Sequence, residues 1–188
     1  MATRDRALDA AHASILEIGA TRTTMVEIAR RSGVGRTTLY RHWADVTALF
    51  ADLLTRELTA AVTRVDPAFT EPARREPADL AELADRLCAV ADAIRTDPLL
   101  DAIRRHESDL LAEYVLRRLG TSQRALIDTL RESLTHALGP GRDPATTATM
   151  LYLAIQGAVL SAPLADPPLD PDTWRAELHR LIRGYLIP

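Results

Sequence analysis

The stretch from Thr24 to Trp43 constrains the fold of this chain more than any other, because two helical patterns flank a glycine in it. The first pattern opens with Met25, which starts an apolar stripe at helical spacing. Thr23 or Thr24 precedes it as the N-cap, and Glu27 stands at capping-box spacing from Thr24. We therefore expect a short helix that begins next to these threonines and buries one side.

A turn and a second helix follow in the same stretch. Gly33 stands where the chain must turn, and glycine adopts the left-handed conformation without steric cost. Val34 then returns to the core, and Leu39 with Trp43 marks the inner face of the second helix. The outward face of that helix carries side chains that can all donate a hydrogen bond: Arg36, Thr37, Thr38, Tyr40, Arg41 and His42. Phosphate oxygens and base edges accept such bonds, so we predict a helix-turn-helix that enters the DNA major groove.

The run from Gly33 to Trp43, preceded by Thr24-Met25-x-Glu27-Ile28-Ala29, resembles the DNA-binding signature of the TetR (tetracycline repressor) family. The resemblance covers roughly residues 4–54, and beyond it only the length and the helical layout are similar. It implies an all-α protein with a three-helix head and a larger helical C-terminal regulatory and dimerisation domain. We place the helix-turn-helix DNA-binding domain in residues 1–45 and the helical ligand-binding and dimerisation domain in residues 46–188.

Two positions depart from the family's pattern. The family usually has Ser where this chain has Gly35, so one capping or phosphate-binding hydroxyl is missing. It usually has Lys early in the fourth helix, where this chain has Val46. Each departure removes a single phosphate contact and leaves the fold unchanged.

The family resemblance and the side-chain chemistry together divide the contacts to DNA into two groups. Arginine suits the O6 and N7 atoms of guanine, so arginines and a neighbouring threonine are the expected base readers. We expect base contacts from Arg36, Thr37 and Arg41. We expect phosphate contacts from Thr24, Thr38, Tyr40 and His42.

The charge of the chain is unevenly distributed. The net charge is -3, yet the first 50 residues hold seven arginines against five acidic residues. The remaining residues therefore carry -5, and the attraction for phosphates is concentrated in the N-terminal part. Every basic residue is arginine, which we attribute to genomic base composition.

The composition predicts a helical, cytoplasmic protein. Hydrophobic residues make up 47% and aromatic residues 4% of the chain, and the prevalence of Ala and Leu favours helix over strand. Cys88 is the only cysteine, which excludes an intrachain disulfide and fits a reducing compartment. The N-terminus lacks a signal-peptide pattern, and no apolar run approaches the roughly 18 residues of a membrane span, so we expect no membrane partner.

The last two helical patterns suggest a two-fold interface. Small residues line one stripe of residues 144–162, and an apolar stripe follows in residues 172–186. Paired across a two-fold axis, these helices would form a four-helix bundle, and a homodimer could read a palindromic operator. The alternative is that the stripes face the domain's own core. The interface candidates are Met150, Ala154, Gly157, Ala158, Ser161, Trp174, Leu178, Leu181 and Ile182.

The family resemblance implies a small-molecule pocket in the helical body. Few charges fall on the inward faces of residues 50–160, so we expect an apolar or amphipathic effector. The polar residues on otherwise apolar faces are Cys88, His106, Tyr114, Tyr152 and Gln156. Each has an alternative role: Cys88 as a small core residue, His106 as a cap or satisfied core histidine, and the tyrosines as packing anchors.

Other classes of function leave no recognisable pattern in the sequence. It contains no nucleophile-elbow, zinc-protease, P-loop or dinucleotide-binding motif, so we expect neither catalysis nor a cofactor. The five histidines are scattered without metal-ligand spacing, so we expect no metal. The remaining alternative is a helical protein-interaction module that does not bind DNA. Steep weakening by salt would distinguish DNA binding from such docking.

Overall fold

The computed structural model describes residues 2–65, 67, 79–106 and 121–187, with the side chains of all of these except residues 105, 106, 121 and 122. The described part contains α-helices and no strand, which confirms the all-α prediction. The helices are α1 (Thr3–Ile18), α2 (Met25–Ser32), α3 (Arg36–His42), α4 (Val46–Val65), α5 (Leu80–Arg95), α6 (Pro98–His106), α7 (Thr121–Leu134), α8 (Pro144–Ser161) and α9 (Pro171–Leu186). A short 3-10 turn, Ala162–Leu164, follows α8.

The apolar spacing in the sequence predicts helices over residues 78–95, 107–118 and 121–138. In the structure the first of these begins at Leu80. The last ends at Leu134, where a turn begins with the Thr135 N–H donating to the Glu132 carbonyl. The helix predicted over residues 107–118 lies outside the described residues.

Three helices begin at the same sequence signal, an aspartate followed by a proline. Proline fits the first helical position because it has no N–H to leave unpaired, and the aspartate before it accepts hydrogen bonds from the next free N–H groups. The Asp97 carboxylate accepts from the N–H of Leu99 and of Leu100, both at 3.0 Å. The other two pairs are Asp143-Pro144 and Asp170-Pro171, where the carboxylates accept from Thr146 at 2.9 Å and Thr173 at 3.0 Å.

The chain divides into two compact units. Within the described residues, the first comprises residues 2–58 and 96–106, and the second comprises residues 59–65, 67, 79–95 and 121–187. The first unit therefore extends into α4 and includes α6, which the division at residues 45 and 46 did not anticipate. The assignment of DNA binding to residues 1–45, and of ligand binding and dimerisation to residues 46–188, stays a prediction.

The first unit holds the helical head. Helix α1 packs against both α2 and α6, and α2 packs against α3. The core is formed by side chains that are almost completely buried, among them Ile15, Ile28, Leu39, Leu53 and Ile103. A charged contact on the outside of this core joins α4 to α1, because Arg56 Nη1 lies 2.7 Å from Asp9 Oδ1.

The second unit is a layered helical bundle. Helix α9 packs against α5, α8 packs against α7, and α5 also contacts α8. Leu83, Leu134, Leu151 and Ile182 are almost completely buried between these helices. The guanidinium of Arg95 stacks 4.8 Å from the ring centre of Trp174, which adds a cation–π contact between α5 and α9.

One described helix is long and apolar enough to cross a membrane by length and composition alone. It is Pro144–Leu164, which has 21 residues and a mean hydropathy of 1.3. Only 22% of its most apolar 18-residue stretch is buried in the protomer. The expectation that no apolar run approaches the length of a membrane span is therefore wrong for this helix. Isolated Thr and Gln residues interrupt the apolar run without introducing a charge. A single helix of this kind is weak evidence for a membrane span, because a core helix of a soluble protein passes the same test.

Candidate nucleic-acid interface

Helix α2 begins and ends as its residues dictate. The Thr24 hydroxyl oxygen accepts a hydrogen bond from the Glu27 N–H at 3.2 Å, which confirms Thr24 as the N-cap. Gly33 has φ 65° and ψ 18°, the left-handed conformation expected for it. The Glu27 carboxylate, however, accepts from Arg30 and Arg31, so its side chain is used within α2.

The turn between α2 and α3 is held by a serine that the sequence reading missed. The Ser32 hydroxyl donates to the Ile28 carbonyl at 2.7 Å, and its oxygen accepts from the Val34 N–H at 3.2 Å. Val34 is 4% exposed, so this hydrogen bond satisfies a backbone group next to the core. The signal that could have identified Ser32 is its place at the end of α2, where a hydroxyl can bond in both directions.

Helix α3 is anchored by its inner face. Leu39 is 1% exposed and Trp43, directly after the helix, is 5% exposed. Gly35 is the N-cap and makes no side-chain hydrogen bond, as expected from the missing serine hydroxyl. A helix with only one fully buried residue is held by that residue and by its two ends.

The outward face of α3 presents the predicted donor groups. Arg36, Thr37, Tyr40, Arg41 and His42 are exposed, Thr38 is half-buried, and Tyr40 retains 54% of its surface. Thr24 is exposed as well; its oxygen accepts the capping bond while its hydroxyl hydrogen remains available to a phosphate. The structure therefore brings all seven predicted DNA contacts to the surface of the first unit. Their individual roles stay predictions.

The arginines of the head fall into two electrostatic classes. On α2, Arg31 pairs with Glu17 of α1 and with Glu27, and Arg30 also pairs with Glu27. Hydrogen bonds from Arg30 and Arg31 hold the pKa of Glu27 at about 2, well below its ordinary value of 4.5. The Arg31 guanidinium likewise lowers the pKa of Glu17.

The arginines on α3 are in the opposite situation. Within the described part of the chain, neither Arg36 nor Arg41 forms an ion pair, and both are exposed. Their charge is therefore not compensated locally and is available to phosphates or guanines.

The five ligand-pocket candidates are only partly described. Tyr114 and the side chain of His106 lie outside the described residues, and Tyr152 and Gln156 are half-buried on α8. Cys88 is 5% exposed, and burial, with a smaller contribution from Asp85, raises the pKa of its thiol to about 11. The thiol is therefore unreactive at neutral pH, which agrees with a small core residue.

Cys88 also lines a cleft between α5 and α9 that carries several charged side chains. Arg175 of α9 pairs across it with Asp92 of α5 at 2.7 Å, and with Asp172 of its own helix at 2.9 Å. His179 Nε2 lies 2.7 Å from Asp85 Oδ1 at its rim. Tyr152 and Gln156 are not among the lining residues, so this cleft does not join the predicted pocket residues.

The interface candidates separate into an exposed and a buried set. Trp174, Leu178 and Ile182 are at most 6% exposed, because they pack into the core of their own unit. These three side chains therefore face the core of their own unit, which was the alternative to an interface, and are not accessible to a second chain. The exposed set on α8 and α9 comprises Met150, Ala154, Gly157, Ser161 and Leu181, with Ala158 half-buried beside them.

No group of three or more potential metal ligands occurs among the residues that the structure describes.

Residues 7–53 match the family model described as bacterial regulatory proteins, tetR family. An uncharacterised helix-turn-helix transcriptional regulator of Mycobacterium bovis is 37% identical over 188 residues, covering 98% of this chain and 94% of that protein. The chain belongs to the tetR family. It is a DNA-binding transcriptional regulator, and the interaction module without DNA binding is set aside.

Solved structures agree with this fold over the whole chain. The TetR family repressor AlkX from a Dietzia strain superposes with a TM-score of 0.68 at 20% identity, covering 97% of this chain and 94% of AlkX. The multidrug binding protein EbrR, solved with imidazole, gives a TM-score of 0.61 at 25% identity, covering 96% and 95%. The predicted head and helical C-terminal part are therefore those of a TetR-family regulator.

Proposed function

We propose that this regulator is a repressor that binds a palindromic operator as a homodimer and leaves it when a small molecule binds its helical C-terminal part. The observation that carries the DNA contact is the outward face of α3. It has two exposed arginines without an ion-pair partner among the described residues. Occupying a promoter suffices for repression, and a second half-site doubles the few base contacts of one helix.

Within this face we assign Arg36, Thr37 and Arg41 to base edges, because arginine can donate two parallel bonds to guanine. Thr24, Thr38, Tyr40 and His42 are assigned to phosphates. Arg30 and Arg31 are left out of the readout, because Glu27 and Glu17 already compensate their charge.

A pair of arginine variants tests this division. The probe is the duplex that the wild-type protein selects from a random-sequence pool, together with a scrambled duplex of the same composition. Arg36→Ala should reduce the preference for the selected duplex by about 1–3 kcal/mol, and Arg30→Ala, the matched control, should leave it nearly unchanged. Equal weakening on both duplexes would make Arg36 a phosphate contact. A salt-independent affinity would contradict the proposed mode of binding.

The homodimer is supported by the exposed stripe of α8. Met150 retains 50% and Leu153 48% of its surface, and Ala154, Gly157 and Ser161 continue the stripe at helical spacing. Leu181 of α9 is 56% exposed. An apolar, uncharged stripe of this length is typical of a helix-bundle interface between two copies.

Gly157 allows a sharp test of the homodimer. Gly157 is exposed, and a Cβ built there meets no atom within 4 Å in the protomer, so a side chain can leave the helix towards solvent. Gly157→Glu should therefore abolish the dimer in sedimentation equilibrium and leave the circular-dichroism spectrum intact. Ala145→Glu, on another side of the exposed surface of α8, is the control and should remain dimeric. A dimeric Gly157→Glu protein would overturn this assignment of the interface.

The effector stays the least defined part of the proposal. EbrR is named as a multidrug binding protein, which supports ligand binding by this family member as well. An apolar or amphipathic effector agrees with the uncharged sequence of α8, which holds no Asp, Glu, Lys or Arg between Pro144 and Ser161. Native mass spectrometry of the purified protein, followed by organic extraction, tests it: an extracted neutral or amphipathic compound should release the protein from the selected duplex. A strongly charged compound with that effect would contradict the predicted class.

A further inference from the structure

The carboxylate of Asp52, in the middle of α4, connects three elements of the DNA-binding head. Its Oδ2 atom accepts a hydrogen bond from the indole Nε1 of Trp43 at 2.9 Å. The same oxygen accepts from Arg4 Nε of α1 at 2.9 Å, and Oδ1 accepts from Arg4 Nη2 at 2.5 Å. Both carboxylate oxygens are therefore used, and α1, α4 and the residue after α3 meet at one side chain.

The contact between Trp43 and Asp52 is more protected from water than an ordinary surface hydrogen bond. The Trp43 residue is 5% exposed and the Asp52 side chain 20%, whereas the Arg4 side chain is 57% exposed. An indole N–H can only donate, so removing its acceptor leaves a buried donor unpaired. Asp52 lies between Leu49 and Leu53 on α4, both fully buried, so its backbone is fixed by the core.

Trp43 is also the C-cap of α3, and its backbone N–H donates to the Leu39 carbonyl at 2.9 Å. A fixed indole therefore fixes the C-terminal end of the helix that carries Arg36 and Arg41. We infer that Asp52 is a positioning residue for operator binding: it sets the orientation of α3 by holding the Trp43 indole, and Arg4 holds its carboxylate in place.

The expected effect follows from the geometry of base readout. Bidentate contacts tolerate only small displacements of the helix, so loosening one end of α3 reduces specific binding while phosphate attraction persists. Electrostatics alone predict the opposite result. Removing a carboxylate from the head makes it more positive, which strengthens binding to any duplex. A loss of operator affinity is therefore not explained by the change in charge.

The test compares Asp52→Ala with Glu57→Ala, because an amide in place of the Asp52 carboxylate would keep an oxygen that can accept from the Trp43 indole. Both residues lie on α4, their side chains are 20% and 21% exposed, and each substitution removes one negative charge. Glu57 pairs with its neighbour Arg56 and makes no hydrogen bond or ion pair to α3 within the described residues, so it is a matched control. Affinity is measured for the selected duplex and for its scrambled counterpart, with circular dichroism to check that each variant is folded.

We expect Asp52→Ala to weaken binding to the selected duplex about tenfold, a change of roughly 1.4 kcal/mol, and to leave the scrambled duplex bound as tightly or more tightly. Glu57→Ala should weaken binding to either duplex by less than threefold. The indole N–H resonance of Trp43 should shift in the Asp52→Ala protein. Trp43→Phe removes the donor, together with part of the buried ring, and leaves the charge unchanged, so it should reproduce the loss.

The double variant decides whether Asp52 acts through Trp43. In the Trp43→Phe background, Asp52→Ala should weaken operator binding less than threefold, because the contact is already absent. A full tenfold loss in that background would overturn the inference, as would wild-type affinity in Asp52→Ala or in Trp43→Phe. The inference rests on operator binding by α3, which the wild-type protein on the selected and scrambled duplexes tests separately.

Discussion

Leu39 and Tyr40 are neighbours on α3 with opposite environments, so their substitution separates folding of the head from DNA binding. Leu39 is 1% exposed and Tyr40 54%. Leu39→Ala removes three buried carbon atoms, at about 0.8 kcal/mol each, and leaves a cavity that adds to the cost. We expect the free energy of unfolding of the head to fall by about 3–4 kcal/mol. Tyr40→Ala should change it by no more than about 0.5 kcal/mol and weaken binding to both duplexes.

The assay follows urea unfolding through the fluorescence of Trp43, which lies at the end of α3. The other tryptophan, Trp174, belongs to the second unit and is replaced by Phe in all the proteins compared. Leu39→Ala should lower the urea midpoint at an unchanged slope. An unchanged midpoint for Leu39→Ala, or an equal loss for Tyr40→Ala, would refute the view that Leu39 anchors α3 and Tyr40 serves DNA.

Three further outcomes follow from local geometry. Gly33→Ala should destabilise the head by about 1 kcal/mol in urea unfolding, because φ 65° strains any residue with a Cβ although no atom lies within 4 Å of it. The Glu27 pKa is lowered from 4.5 to about 2, so the stability it contributes is complete above about pH 4.5 and is lost as the pH falls towards 2. In Glu27→Gln this part of the acid dependence should disappear from melting curves. Asp170→Ala should lower the free energy of unfolding by about 1 kcal/mol, because its carboxylate caps α9, whereas Asp166→Ala should be neutral.

The sequence was most informative where the deciding interactions join residues close in the chain. The threonine cap of α2 and the left-handed Gly33 each involve residues within about one helical turn, so their spacing alone predicted them. The outward donors of α3 were predicted for the same reason, since one buried residue fixes which way the rest of a short helix points. Membership of a family with a known head made the order of the first three helices predictable as well.

Tertiary structure decided what depends on partners distant in sequence. Only the tertiary structure shows that Arg31 pairs with Glu17, 14 residues away in the chain. The same holds for Arg4, which donates to Asp52, 48 residues away. The pairing separates compensated arginines on α2 from uncompensated ones on α3, a distinction that a count of charges cannot make. Likewise, Trp174 and Leu181 look alike in an apolar pattern, yet one is buried within its unit and the other is 56% exposed. Helical periodicity records which residues share a face, whereas the element that covers that face is chosen only when the helices pack.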